Sequence, residues 1–284
     1  MKYTQKPRPS GDAHAFDRVA VLDIESHSPD FEDEGFPAWP LHRPICASIL
    51  TADSYDDGVV SFSLTTIMFP NREVEALGEL EKLLEGRALV TFNGRGFDIP
   101  VLALTAMKNR NFEASNLSSI WRANRYGGAH CDLADQFSQF SSARGASLAT
   151  LCAALDIPVK TTVHGDEVGK LFDSGEIETI KQYCEEDVLA TYLLFLNWIA
   201  FRHNDPDHLA SGCASLARHV EAEGLEHLLG FAQFSRVAWA HQELKERMAR
   251  HLIRDLKIAT SRNICRPDIG IIDDDDDDED QIPF

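Results

Sequence analysis

Residues 19–26 read Val-Ala-Val-Leu-Asp-Ile-Glu-Ser, an apolar strand that closes on two acids. Side chains along a strand alternate between its faces, so Asp23 and Glu25, two apart, project from one face. Side by side among apolar neighbours, two carboxylates repel each other, and a cation between them would relieve that cost. The pair also fits a plain solvent-facing strand end, because exposed acids are common.

Working outward, 45–51 and 59–66 are strand-like and lie at hairpin spacing around Asp56, Asp57 and Gly58, which together with 19–24 predicts an antiparallel meander. Residues 71–85 then carry Val74, Leu77, Leu80 and Leu84 at helical spacing, with Gly86 as the stop, and 88–92 reads as a returning strand. Helices are expected from about Phe97 to Arg110, over 147–155 and, longest, over 176–201. Strands, a helix, a strand and more helices describe an α/β fold with a mixed sheet flanked by helices. Pro206, between Asp205 and Asp207, marks a boundary, giving a domain of 1–204, a helical appendage of 205–258 with an amphipathic helix near 240–256, and a flexible tail of 259–284.

Composition excludes several classes. The chain has 284 residues, enough for a sizeable core, and no apolar run reaches membrane-spanning length. Residues 1–18 hold no apolar segment, so neither a secretory signal nor a membrane is expected and the cytoplasm is the expected compartment. Six cysteines without a Cys-x-x-Cys pair argue against a disulfide framework or a zinc cluster. They read as small buried apolar groups. The net charge is -19, and the eight acids of 273–280 leave -11 on the remainder. Such a chain is repelled by phosphate backbones, so any nucleic-acid function has to come from a local site.

Asp98 stands in Thr-Phe-Asn-Gly-Arg-Gly-Phe-Asp-Ile-Pro, after a strand and at a helix start. An acid there suits the helix dipole. Equally, the two glycines and Asn93 allow a ligand close to the backbone, with Phe97 placed to wedge against a base. Tyr183 and Asp187, four apart on the long helix, share a face. Cys184, Val188 and Tyr192 are expected in the core, and Glu185 and Glu186 toward solvent.

Asp-x-Glu on a strand, Asn-x-x-x-Phe-Asp after a strand and Tyr-x-x-x-Asp on a late helix together resemble the DEDD superfamily of 3'-5' exonucleases, over residues 19–203. Within it the chain is similar to a stand-alone bacterial group related to the proofreading domain of family-B DNA polymerases. Tyr183, with Gln182 where a histidine variant would differ, resembles the tyrosine branch. The resemblance implies a ribonuclease-H-like fold with Asp23, Glu25, Asp98 and Asp187 as ligands for two divalent ions, Mg²⁺ or Mn²⁺, and Tyr183 orienting the attacking water. It implies release of 5'-mononucleotides from single-stranded ends, with DNA favoured over RNA. Phosphodiester hydrolysis needs an activated water and relief of charge on the departing oxygen, and hard cations prefer carboxylate oxygens. An exoribonuclease is the alternative enzyme; a replication or repair interaction module, acting through its tail, is the alternative of another class.

Asn93, Phe97 and Lys160 are candidate substrate contacts, Lys160 equally an exposed lysine. Asp132, in His130-Cys131-Asp132, reads as support for the site rather than as a ligand. Trp121, Arg122, Arg125 and Tyr126 form a basic-aromatic stretch that suits a single strand or packs as a loop. His219, His227 and His241 are expected on the helix surface. The acids of the tail followed by Ile282, Pro283 and Phe284 resemble the acidic tip of bacterial single-stranded-DNA-binding proteins, implying a partner that reads that tip; a solubilising tail is the other reading.

Overall fold

The computed structural model describes residues 16–29, 36–55, 58–159 and 167–264. Lys160, Ile282, Pro283, Phe284 and the acidic run lie outside the described residues. Strands β1 (Arg18–His27), β2 (Arg43–Ser54) and β3 (Val60–Met68) form the expected meander. Helix α1 (Glu73–Leu84) follows, and Gly86, at φ +66°, turns the chain out of it. Strand β4 (Ala88–Thr91) returns beside β1, α2 (Asp98–Lys108) and α3 (Ser115–Trp121) follow, and the short β5 (His130–Asp132) lies next to β4. Among the described residues the sheet order is β3-β2-β1-β4-β5, with β1 antiparallel to β2 and parallel to β4. This mixed sheet with flanking helices is the ribonuclease-H-like α/β fold.

The centre of the sheet explains the apolar run at 19–24. Val19 and Val21 pack into the cluster that includes Val188, Leu189, Tyr192 and Leu193, while Ala20, Leu22 and Ile24 pack into the opposite one with Leu77, Leu80 and Leu102. A strand covered on both faces reads as a continuous apolar stretch rather than as an alternation. Asp23 and Glu25 continue the Val19 and Val21 face, where the long helix lies.

That helix, α7 (Ile177–His203), comes after the short α4 (Leu133–Phe137), α5 (Leu148–Ala154) and α6 (Val168–Asp173). It ends at Asn204, whose left-handed backbone closes the last turn. Pro206 lies in the short turn to α8 (Asp207–Ala222), whose Ala210, Cys213, Leu216 and Val220 join the same core as Val21. A 3-10 turn, Glu226–Leu228, and α9 (Leu229–Gln233) precede α10 (Ser235–Ile264), which runs past Ile258 into the stretch the sequence assigns to the tail. One compact unit is Met1–Leu244 and a second is Lys245–Phe284.

Because α7 is covered on both sides, Glu185 and Glu186 do not face solvent: they are 6% and 7% exposed. The expectation failed because it assigned α7 an open side that β3 and the Glu226–Leu228 turn occupy. Glu185 accepts hydrogen bonds from Thr66 Oγ1 at 2.6 Å and His227 Nε2 at 2.8 Å. His227 is therefore not a helix-surface residue, and His219 sits half-buried against the Phe62 ring. His241 is exposed. The described cysteines, 46, 131, 152, 184 and 213, are free and buried. Among the described residues no helix is long and apolar enough to cross a membrane.

Close packing of α8 on α7 gives a test. A Cβ at Gly212 would stand 2.5 Å from Leu196 Cδ1 and 3.0 Å from the Tyr192 hydroxyl. Gly212→Ala would stabilise an open helix by about 1 kcal/mol; here it is expected to lower unfolding stability by about 1–2 kcal/mol, as overpacked cores do. Urea denaturation reads the sign, and a gain in stability would contradict the packing.

Candidate active site

Three elements bring acids together at the carboxyl end of β1. Asp98, the first residue of α2, accepts a hydrogen bond on Oδ1 from the Ile24 amide at 3.1 Å, reaching the backbone between Asp23 and Glu25. Cys184, next to Tyr183 on α7, approaches the Asp23 carbonyl and carboxylate through its Sγ at 3.5 and 3.6 Å. One ligand atom each of Asp23, Glu25 and Cys184 lies within 4.8 Å of the others. Tyr183 hydrogen-bonds the Asp187 carboxylate one turn along the helix.

The loop ahead of Asp98 is held as firmly. Asn93 adopts the left-handed conformation at φ 61°, and a Cβ on Gly94 would stand 2.6 Å from Thr91, so only glycine passes there. Asp132 accepts from the amides of Asn93 and Arg95, each at 2.9 Å, and caps α4 through the Ala134 amide. The carboxylate that the sequence marked as support thus fixes the path of the chain into α2. Arg95 extends the brace, donating to the carbonyls of Ala123 and His130. His130 shares a 2.8 Å contact with Thr91 Oγ1, and burial with the nearby Arg95 pushes its pKa down to about 3. It is neutral at ordinary pH.

Electrostatics report the convergence of the four acids. Burial, then the charges of Asp98, Asp187 and Glu25, hold Asp23 well above the usual carboxylate range. Burial, then Cys46, Asp187 and Asp98, does the same to Glu25. Burial raises Asp98 to about 7 against the opposing amide hydrogen bonds, and raises Asp187 to about 6 against the Tyr183 hydroxyl. Tyr183 is itself pushed up by burial and by Asp187, so its phenol stays protonated. Asn93 is exposed and Phe97 half-buried beside this cluster, Phe97 meeting the rings of Phe36 and His42 at 5.6 and 4.8 Å.

This donor set fits hard divalent cations: the acids offer oxygen, and opposite charge among them would offset their mutual repulsion. Cys184 was read as core and is buried, yet it also touches Asp23; its thiol pKa is raised well above normal, first by burial, so it presents a neutral sulfur that suits such ions poorly. The signal available for it was its position beside Tyr183 on a face that the helical period turns toward β1.

Residues 34–235 match the model of a family described as predicted 3'-5' exonucleases related to the exonuclease domain of PolB. The chain belongs to this family. The resemblance to DEDD exonucleases stands with it, and the domain is a 3'-5' exonuclease, a phosphodiester hydrolase; Asp98, Tyr183 and Asp187 fall within the matched span, and Asp23 and Glu25 precede it. No curated protein sequence matches the chain. Solved structures similar to this exonuclease domain include the family B DNA polymerase of the hyperthermophilic archaeon Pyrobaculum calidifontis, at 17% identity and a TM-score of 0.45 over 76% of this chain and 27% of that one. Product-bound exonuclease I matches at 13% identity and a TM-score of 0.38, over 63% and 47% of the two chains. An exonuclease I complex titled ExoI/SSB-Ct matches at 14% and 0.33, over 66% and 46%. The chain spans less than half the length of each.

The raised carboxylates predict how the metal-free protein responds to pH. The folded state holds protons that the unfolded chain releases near pH 4, so the stability this contributes is lost as pH rises through about 6–7. At about 1.4 kcal/mol per pKa unit over a shift of about three, Asp98→Asn is expected to stabilise the chelator-treated protein by about 4 kcal/mol at pH 8 and by less than half of that at pH 5. Urea midpoints at the two pH values measure it; an equal effect at both would contradict the reading.

Proposed function

We propose that the chain removes 5'-mononucleotides from the 3' ends of single-stranded DNA, with Asp23, Glu25, Asp98 and Asp187 as ligands of two divalent ions, Mg²⁺ or Mn²⁺, in DNA repair in the cytoplasm. The observation that supports the reading is the Asp98 carboxylate on the Ile24 amide, the backbone group between Asp23 and Glu25. When bound, the ions would supply Lewis-acid activation of the attacking water and charge relief on the leaving 3'-oxygen. Tyr183, kept protonated, donates its one hydroxyl proton to Asp187 here and would turn it to that water once the ions hold Asp187. Asn93, exposed at the turn, and Phe97, edging the cluster, would seat the terminal nucleotide, with Lys160 on a phosphate.

Preference for DNA is supported by the family's relation to the exonuclease domain of PolB. The stretch 273–284, with Ile282, Pro283 and Phe284 after its acids, would recruit a protein that reads the acidic tip of single-stranded-DNA-binding protein.

End-labelled DNA and RNA strands with blocked 3' or 5' ends test the reading. Wild type with Mn²⁺ or Mg²⁺ is expected to shorten free 3' DNA ends and to stop when metal is chelated. Asp23→Asn and Asp98→Ala are expected to abolish digestion with an unchanged circular dichroism spectrum, and Tyr183→Phe to lower kcat by about 100-fold. Faster trimming of RNA would favour the exoribonuclease, and full activity in Asp23→Asn would overturn the assignment. Recruitment is read by binding of a 273–284 peptide to the tip-reading partner, lost in Phe284→Ala; equal binding by both peptides would exclude it.

A further inference from the structure

An acidic nuclease has to receive an acidic substrate somewhere. Between residues 114 and 150 the formally charged residues are three arginines, Arg122, Arg125 and Arg144, and two aspartates, Asp132 and Asp135. Both aspartates are engaged inward. Asp132 is buried, and its oxygens accept the Asn93, Arg95 and Ala134 amides. Asp135 is held by Arg125 through both oxygens and lies 3.5 Å from Arg95 Nε. Arg122 and Arg144 are exposed. The sequence around the β5 turn thus folds so that its negative charge is consumed, that of Asp135 by Arg125, while Arg122 and Arg144 are presented.

Aromatic rings are presented with it. Tyr126 is 72% exposed and meets the Phe140 ring edge-on at 4.6 Å, while the Arg125 guanidinium lies 5.7 Å from the centre of the same ring. Trp121 is 46% exposed beside Arg122. Phe140, half-buried, sits in the middle of a left-handed run, Gln139, Phe140 and Ser141 at φ 49°, 55° and 75°. Non-glycine residues in the left-handed region cost energy, and such backbones cluster at functional sites. A buried structural pair would leave Tyr126 covered; here the residue is exposed.

The ledge is continuous with the catalytic loop. Arg95 donates its backbone amide to Asp132 and its guanidinium to the carbonyls of Ala123 and His130, so the stretch leading to Asp98 and the loop bearing Arg125 and Tyr126 share one brace at the β4–β5 edge.

We propose that the Arg122, Arg125, Tyr126 and Phe140 ledge carries the single-stranded nucleic acid upstream of the nucleotide being removed, Tyr126 stacking on a base and Arg122 contacting phosphate. This rests on the exonuclease reading and names the path of its substrate. Exposed aromatics beside arginines are what sequence-tolerant single-strand binding requires, because every base offers a ring face.

The test uses the full chain and a labelled oligothymidylate, with anisotropy measured in chelator and hydrolysis in Mn²⁺. Tyr126→Ala is expected to weaken binding and raise KM by roughly tenfold with kcat and melting temperature unchanged, since a single base–aromatic stack is lost. Arg122→Ala is expected to reduce the steepness of the salt dependence of binding by about 0.7 in the log–log slope, the value for one phosphate contact on a single strand. Both variants binding as wild type would overturn the ledge. Hydrolysis by wild type with an unchanged KM in Tyr126→Ala would overturn it while leaving the exonuclease standing. Tyr126-dependent binding without any hydrolysis would support the ledge and overturn the exonuclease reading.

Discussion

Four carboxylates whose pKa values burial raises, Asp23 and Glu25 being pushed up further by Asp98 and Asp187, cannot be assembled by their own attraction, so the rest of the fold has to hold them together. It does so with contacts that favour the charged form of each acid they touch. The Ile24 amide holds Asp98, the Cys184 sulfur rests on Asp23, and the Tyr183 hydroxyl holds Asp187. Asp132 fixes the approach to α2 through two amides. The braces come from β1, from α7 twice and from β5, and the one on Asp98 is buried. What is stored in the site is an affinity for positive charge, which explains how an acidic chain can hold a centre whose substrate is also acidic.

The same strand supplies core and chemistry. β1 is covered on both faces over Val19–Leu22 positions and changes role within one pleat, because Asp23 and Glu25 continue the face that packs on α7. Register changes between Glu25 and Ser26, where β1 departs from regular pairing with β2. Irregularities of this kind re-aim side chains at the ends of strands. α7 has no comparable freedom: the sheet lies on one side, α8 on the other, and its acids at 185 and 186 are enclosed. A helix gripped this way fixes Tyr183 and Asp187 more precisely than a surface helix would.

Legibility in the sequence followed the strength of periodic signals. The strand at 19–24, the hairpin strands and the long helix were readable because period 2 and period 3.6 persist for several turns or pleats. Asp23 with Glu25, and Tyr183 with Asp187, could each be paired from spacing alone, but nothing local says that the two pairs meet. β5 and α3 escaped, being three and seven residues long, too short for a period. Glu185 and His219 were misjudged because their partners Thr66 and Phe62 lie on β3, more than a hundred residues away, and His227 because it turns back onto Glu185 of α7. A polar residue looks exposed in sequence until the element that covers it is known. The braces made by Asp132 and Arg95 are backbone contacts, which leave no mark on residue type at the receiving end.

The central claim is that these acids enclose paired divalent ions. Diffraction from crystals soaked in Mn²⁺ tests it most directly. Two anomalous peaks among the carboxylates of Asp23, Glu25, Asp98 and Asp187 are the predicted result. No peak there, or carboxylates turned away from one another around an empty space, would contradict it.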